Sequence, residues 1–226
     1  MKILFRRICI SLIILTLFLT SFSAANNSFT DVATDAWYSD AITYVVEKGM
    51  MCGTSNRSFA PDTIATRAMV VTVLWRHVGQ PDYICYGTTY PDVIPGEWYS
   101  IATEWAYFND VMVGFPIPFN PSEDAPSGFG ATFGPDDPMS REQLATVLFR
   151  YAKLKGLDVS AKTELQRFPD YAKVSNWAYE AMQWCVSEGL IQGNVIGGVT
   201  MLDPHGNTTR AQLACILMRF LENTKS

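Results

Sequence analysis

One pattern recurs three times along the 226 residues, and internal repetition limits the possible folds more than any single motif does. The copies align on Trp37, Trp98 and Trp177. Shortly before each tryptophan stand the words Phe29-Thr30-Asp31-Val32, Tyr90-Pro91-Asp92-Val93 and Phe168-Pro169-Asp170-Tyr171. Four residues after each comes an alanine (Ala41, Ala102, Ala181) and seven after comes an aromatic ring (Tyr44, Trp105, Trp184). Sixteen after comes a glycine: Gly53, Gly114 and Gly193. The second half of each copy aligns on Arg67, Arg141 and Arg210. A hydroxyl residue precedes each arginine (Thr66, Ser140, Thr209), a proline stands six residues earlier (Pro61, Pro135, Pro204), and a second arginine follows nine later (Arg76, Arg150, Arg219).

Each copy reads as helix–loop–helix. Apolar or small residues at four, seven and eight after the tryptophan mark one face of a first helix. Gly49 and Gly189 suit its stop, with Asp110 in their place in the middle copy. In the third copy Leu213, Ile216, Leu217 and Phe220 mark the apolar face of a second helix. Thr66, Ser140 and Thr209 are suited to cap the second helices by accepting a free backbone N–H. Phe59, Phe133 and Leu202, two residues ahead of the prolines, read as loop anchors. The expected fold is mainly α, with repeats at 28–80, 90–155 and 168–222. The middle repeat carries an insertion at 115–132, holding Pro116, Pro118, Pro121 and Pro126, that reads as a surface loop.

Residues 1–25 have the layout of a secretory signal peptide: Lys2, Arg6 and Arg7, an apolar run from Ile8 to Phe22, then Ser23-Ala24-Ala25. Cleavage after Ala25 and an extracellular, cell-wall location are expected. The chain carries a net charge of −5, and three basic residues leave with that segment. An acidic protein lacks the basic face that nucleic acid requires, so nucleic acid is excluded as a partner. Two His and a cysteine set without any CxxC pair leave no zinc site, and no metal or cofactor is expected. Cys52, Cys85, Cys185 and Cys215 fall at unrelated points of the repeat, so no disulfide framework follows; Cys185 and Cys215 read as small buried hydrophobes. Asp203 and His205 flank Pro204 without a nucleophile motif, and the acidic pairs Glu123-Asp124 and Asp136-Asp137 match no calcium loop. His77 occupies the position of Tyr151 and Phe220 and reads as a core or boundary residue. No catalytic set emerges.

The candidates for ligand binding are the recurrent polar, aromatic and glycine positions. Arg67, Arg141 and Arg210 sit in the first turn of a helix, where the macrodipole opposes a cation. An anion would explain this, held by the free N–H groups of the helix end and by a planar bidentate donor. An ion pair with Asp31, Asp92 or Asp170 would explain it equally, and those aspartates also read as turn or cap residues. Trp37, Trp98 and Trp177 offer indole faces for sugar stacking, although their fixed place in a helical unit favours core anchoring. Gly53, Gly114 and Gly193 either admit a ligand to the backbone or make a turn with positive φ. Arg76, Arg150 and Arg219 lie near helix C-termini, where cations are favoured, and read as structural.

The succession Phe-x-Asp-Val, Trp, Ala, Gly, anchor-x-Pro and Thr-Arg-Ala resembles the S-layer homology repeat of bacterial surface proteins, with copies over about 28–222. The resemblance implies a pseudo-threefold, mostly helical body whose inter-repeat grooves bind a secondary cell-wall polysaccharide linked to peptidoglycan, often one carrying a pyruvyl ketal. It places the main ligand-binding role on Arg67, Arg141 and Arg210. The chain departs from the motif at its glutamate, replaced by Met69, Gln143 and Gln212, and at its alanine, replaced by Glu142 in the second copy. The motif's acidic partner to the arginine is therefore missing in each copy. The implied function is non-catalytic anchoring at the cell surface. The alternative is a structural surface-layer or envelope component whose repeats assemble with other surface-layer proteins.

Overall fold

The computed structural model describes residues 29–82, 88–116 and 131–224. The expected signal peptide, Cys85 and residues 117–130 of the insertion lie outside the described residues. Each repeat contributes two helices, α1 (Ser39–Glu47) and α2 (Arg67–His77), α3 (Ser100–Phe108) and α4 (Arg141–Leu154), α5 (Tyr179–Ser187) and α6 (Arg210–Asn223). The fold is mainly α, as the periodicity indicates. Short antiparallel ribbons interrupt two of the loops: β1 (Phe115–Pro116) with β2 (Ala131–Thr132), and β3 (Asn194–Ile196) with β4 (Val199–Met201).

The local signals act as read. Thr66, Ser140 and Thr209 each accept the N–H three residues on, from Met69, Gln143 and Gln212. First helices end where Gly49, Asp110 and Gly189 take φ of 65°, 54° and 68°. The left-handed turn stops the helix, and Asp110 adopts it without being glycine. Cys185 and Cys215 are buried free thiols.

The repeats do not fold side by side. Each first helix packs chiefly on the second helix of the preceding repeat: α3 on α2, α5 on α4, and α1 back on α6. Equivalent residues of the three second helices are buried alike, Val70 with Leu144 and Leu213, and Leu74 with Leu148 and Leu217. At one end of this inner bundle the backbone closes a ring of hydrogen bonds. Ala65 donates to the Thr208 carbonyl (2.8 Å), Thr208 to Met139 (2.9 Å) and Met139 to Ala65 (2.9 Å). At the other end His77 and Tyr151 share a hydrogen bond of 2.6 Å, and Tyr151 packs on Phe220. A pseudo-threefold axis therefore runs between the two.

Thr208 stands where the other copies have Ala65 and Met139, and its hydroxyl is buried without a partner. A buried hydroxyl with no hydrogen bond is a net cost. Thr208→Val keeps the shape and removes that group, so it is expected to raise stability by about 1 kcal/mol. Urea denaturation compared with the parent chain measures this, and an unchanged or lower midpoint contradicts it.

Candidate ligand-binding groove

The recurrent aspartates hold the loops. Asp31 accepts from Phe59 N (2.9 Å), Ala60 N (2.8 Å) and the Ser58 hydroxyl (2.6 Å). Asp92 accepts from Phe133 N and Gly134 N, and Asp170 from Leu202 N and Asp203 N, at 2.7–2.8 Å. In every repeat the carboxylate thus grips the backbone of the anchor residue. Asp31, Asp92 and Asp170 act as loop clamps, each accepting through both oxygens from N–H or hydroxyl donors of the fold, which matches their reading as turn residues.

The arginines grip the same anchors from the other side. Arg67 donates from Nε to the Phe133 carbonyl (2.7 Å), Arg141 to Leu202 (2.8 Å) and Arg210 to Phe59 (2.9 Å). Each reaches into the next repeat, and Arg210 closes the circle onto the first. Aspartate and arginine are therefore coupled through one peptide group rather than by a direct ion pair. All three arginines are buried, at 3, 3 and 6% exposure.

Nor are the helix ends open to an anion. The first two N–H groups of α2, α4 and α6 donate to carbonyls of the adjoining repeat, including those of the recurrent Pro135, Pro204 and Pro61. The third N–H is taken by the cap hydroxyl. The helix-terminus explanation for the arginines is thereby corrected: the first-turn donors are spent in joining repeats. Gln143 and Gln212 do not take up the arginine donors either. Their side-chain oxygens accept from Ser140 N and Thr209 N, completing capping boxes. A glutamine serves that purpose as well as a glutamate, which accounts for two of the motif departures. Met69 cannot, and its sulfur instead lies 3.8 Å from Arg210 Nη1. Glu142 is buried and accepts from Ser175 N and the Ser175 hydroxyl, tying the second repeat to the third.

The glycines serve close packing. A Cβ on Gly53 would strike the Phe29 ring and loop carbonyls, and one on Gly114 the Tyr90 ring and the Thr132 carbonyl. On Gly193 it would lie 2.7 Å from the Thr200 methyl and 2.8 Å from the Met201 carbonyl. For Gly53 and Gly114 the body of the protein itself makes the close approach. Gly193 alone has positive φ, at 91°.

The tryptophans depart from the core reading. Trp37, Trp98 and Trp177 are 68, 53 and 59% exposed. The aromatic positions seven residues on, including Trp105 and Trp184 at 3%, supply the core instead.

Three of the twelve candidate residues meet in one place. A groove of about 390 Å³ is lined by Trp37 from the first repeat, Arg141 from the second and Gly193 from the third. Gln192, Asn194, Val195, Gln212 and Arg219 complete its polar and outer walls. No carboxylate is among its lining residues. Arg219 donates to the Leu190 carbonyl from one nitrogen (3.2 Å), as Arg76 does to Met50. Its recurrence was visible in the sequence, but its place on the groove wall was not. Burial lowers the pKa of Arg141, Asp203 and Asp170 raise it, and nearby Arg219 lowers it again. A guanidinium titrates so far above neutrality that the group stays charged. Among the described residues there is no cluster able to hold a metal ion, and no helix is long and apolar enough to cross a membrane.

A closed ring of helical repeats with an open groove between them is a repeat-built binding architecture rather than an enzyme-like cleft with a catalytic cluster among the described residues. The S-layer homology domain model matches residues 28–68 and 167–214, the first and third repeats. These two stretches carry S-layer homology domain sequence, and such domains are cell-surface anchoring modules in S-layer proteins. The chain is 24% identical over 205 residues to the surface-layer 125 kDa protein of Lysinibacillus sphaericus, covering 89% of this chain and 15% of that protein. It is 26% identical over 196 residues to an S-layer protein of Bacillus thuringiensis subsp. finitimus, covering 85% of this chain and 21% of the relative. It is also 25% identical over 203 residues to an amylopullulanase of Thermoanaerobacterium thermosulfurigenes, covering 88% of this chain and 10% of that enzyme. The chain thus spans between a tenth and about a fifth of the length of these relatives.

Proposed function

We propose that the protein is a non-catalytic anchor that holds to the cell wall by binding an anionic secondary polysaccharide, pyruvylated or otherwise acidic, in an inter-repeat groove. The groove beside Arg141 carries this reading, because it joins an exposed indole to two guanidinium groups with no carboxylate on its walls. An indole face suits the C–H face of a sugar ring, and a guanidinium suits a carboxylate or phosphate. Two cations facing one groove repel each other, and an anionic substituent relieves that repulsion. The chain as a whole is acidic, so the attraction must be local.

The protein is expected to pellet with purified sacculi and to remain in the supernatant once the secondary polymer has been stripped from them. Pelleting with stripped peptidoglycan would contradict the polysaccharide reading.

A second reading, assembly with other surface proteins, is favoured by the outer face of the middle repeat. Ile101 and Phe108 are 42 and 56% exposed there, where the other repeats place Asp40 and Glu47, or Glu180 and Ser187. Retention only by sacculi already coated with surface-layer protein would support it.

A further inference from the structure

We propose that the three arginine sites have divided their roles: Arg67 and Arg210 are keystones that close the ring, and the groove beside Arg141 is the single receptor site, so one chain holds one polymer segment. The inference rests on the polysaccharide reading above and narrows it.

The three guanidinium groups are equivalent in position but not in their partners. Arg67 donates from Nη2 to the Val113 carbonyl (2.9 Å), besides its Nε bond, and its guanidinium lies 4.2 Å from the Phe115 ring and 4.9 Å from the Phe133 ring. Arg210 donates from Nη2 to the Cys52 carbonyl (2.7 Å), meets the Met69 sulfur through Nη1, and stands 4.5 Å from the Phe59 ring. In both, carbonyls and an aromatic face occupy the charged end. Arg141 makes its Nε bond to Leu202 and, among the described residues, its two outer nitrogens have no hydrogen-bond partner. It is nevertheless 97% buried by its 3% exposure, and it lines the open groove. Its outer donors face the groove rather than a sealed interior, so they are open to a carboxylate or phosphate on a ligand lying there.

Residue changes in the third repeat account for the difference. Leu202 replaces Phe59 and Phe133, so no ring covers the guanidinium. The carbonyl corresponding to those of Cys52 and Val113 belongs to Gln192, and the chain turns there through Gly193 at φ 91°, a conformation that Gly53 and Gly114 do not share. Gln212, which replaces Met69, is tied at both ends, accepting from Thr209 N and donating to Asn194. Among the described residues, none in the third groove therefore takes up the outer Arg141 donors.

The test is calorimetric titration of the full chain with secondary-polysaccharide fragments released from purified sacculi. One fragment per chain is expected. Trp37→Ala, an exposed change at the rim of this groove, should weaken binding at least tenfold with the thermal midpoint unmoved. The same change at Trp98 or Trp177 should weaken it less than twofold. Arg141→Gln should also lose tenfold or more. Two or three fragments per chain, or a loss at Trp98 or Trp177 as large as at Trp37, would overturn the single-site inference while leaving the polysaccharide reading intact. Absence of binding by the parent chain would remove both.

Discussion

Replacing Arg210 with alanine is expected to cost about 3 kcal/mol or more, because it strands the two carbonyls that its guanidinium holds. Arg210 holds Phe59 and Cys52, and its bonds span up to 158 residues of sequence. They fasten the last repeat to the first, so the loss falls on the contact that closes the ring. Arg210→Lys should recover little of it, since an ammonium cannot reproduce the fork of two donors at fixed spacing. Arg141→Ala should cost clearly less, because only the Leu202 carbonyl is stranded. Urea unfolding of the three variants provides the comparison. Equal losses at Arg210 and Arg141 would show that the number of carbonyls held does not set the stability.

A comparable loss, about 2–3 kcal/mol, is expected for Asp170→Asn. The carboxylate is buried and accepts from two adjacent backbone N–H groups. An amide offers one acceptor and points its own N–H₂ at the second donor. Asp31 makes the same clamp at the surface and reports on it through pH. Burial raises its pKa, but the bonds from Ser58, Phe59 and Ala60 together outweigh that and leave it below 3.8. A carboxylate whose folded pKa is depressed adds stability above its unfolded pKa and loses it as pH falls through the folded one. Stability should therefore decline below about pH 4, and Asp31→Asn should flatten that decline. An acid limb of unchanged slope in the Asp31 variant would exclude the clamp as its source.

The two clamps share a peptide group. In each repeat an aspartate takes the N–H of Ala60, Gly134 or Asp203, and an arginine of the preceding repeat takes the carbonyl of the same peptide, that of Phe59, Phe133 or Leu202. Opposite charges thus meet across one polarised peptide, with no direct ion pair between them. This arrangement accounts for the fixed spacing of aspartate, anchor and arginine without invoking a ligand. It also explains why the aspartates and arginines recur together while the glutamate of the motif can become glutamine or methionine: that position caps a helix, and the threonine or serine hydroxyl already supplies one cap.

Much of the local structure was legible in the residues. The caps, the left-handed helix stops and the buried anchors each follow from chemistry within a few positions of the chain. A large apolar side chain at a fixed phase of a helical unit normally points inward, so the sequence favours core anchoring for the tryptophans. Here the core position belongs to the ring seven residues later, and Trp37 is left 68% exposed at a groove rim. Arg219 reads from sequence as a helix-end cation, a role compatible with its bond to Leu190, and its second face toward the groove depends on the neighbouring loop.

Repetition and periodicity thus sufficed to establish three helical pairs and their turns, since hydrogen bonding and amphipathicity act over short spans of chain. Which arginine keeps donors to spare was beyond their reach. That depends on where carbonyls and rings from another repeat come to rest, and those distances arise only when residues 46 to 158 positions apart are packed together.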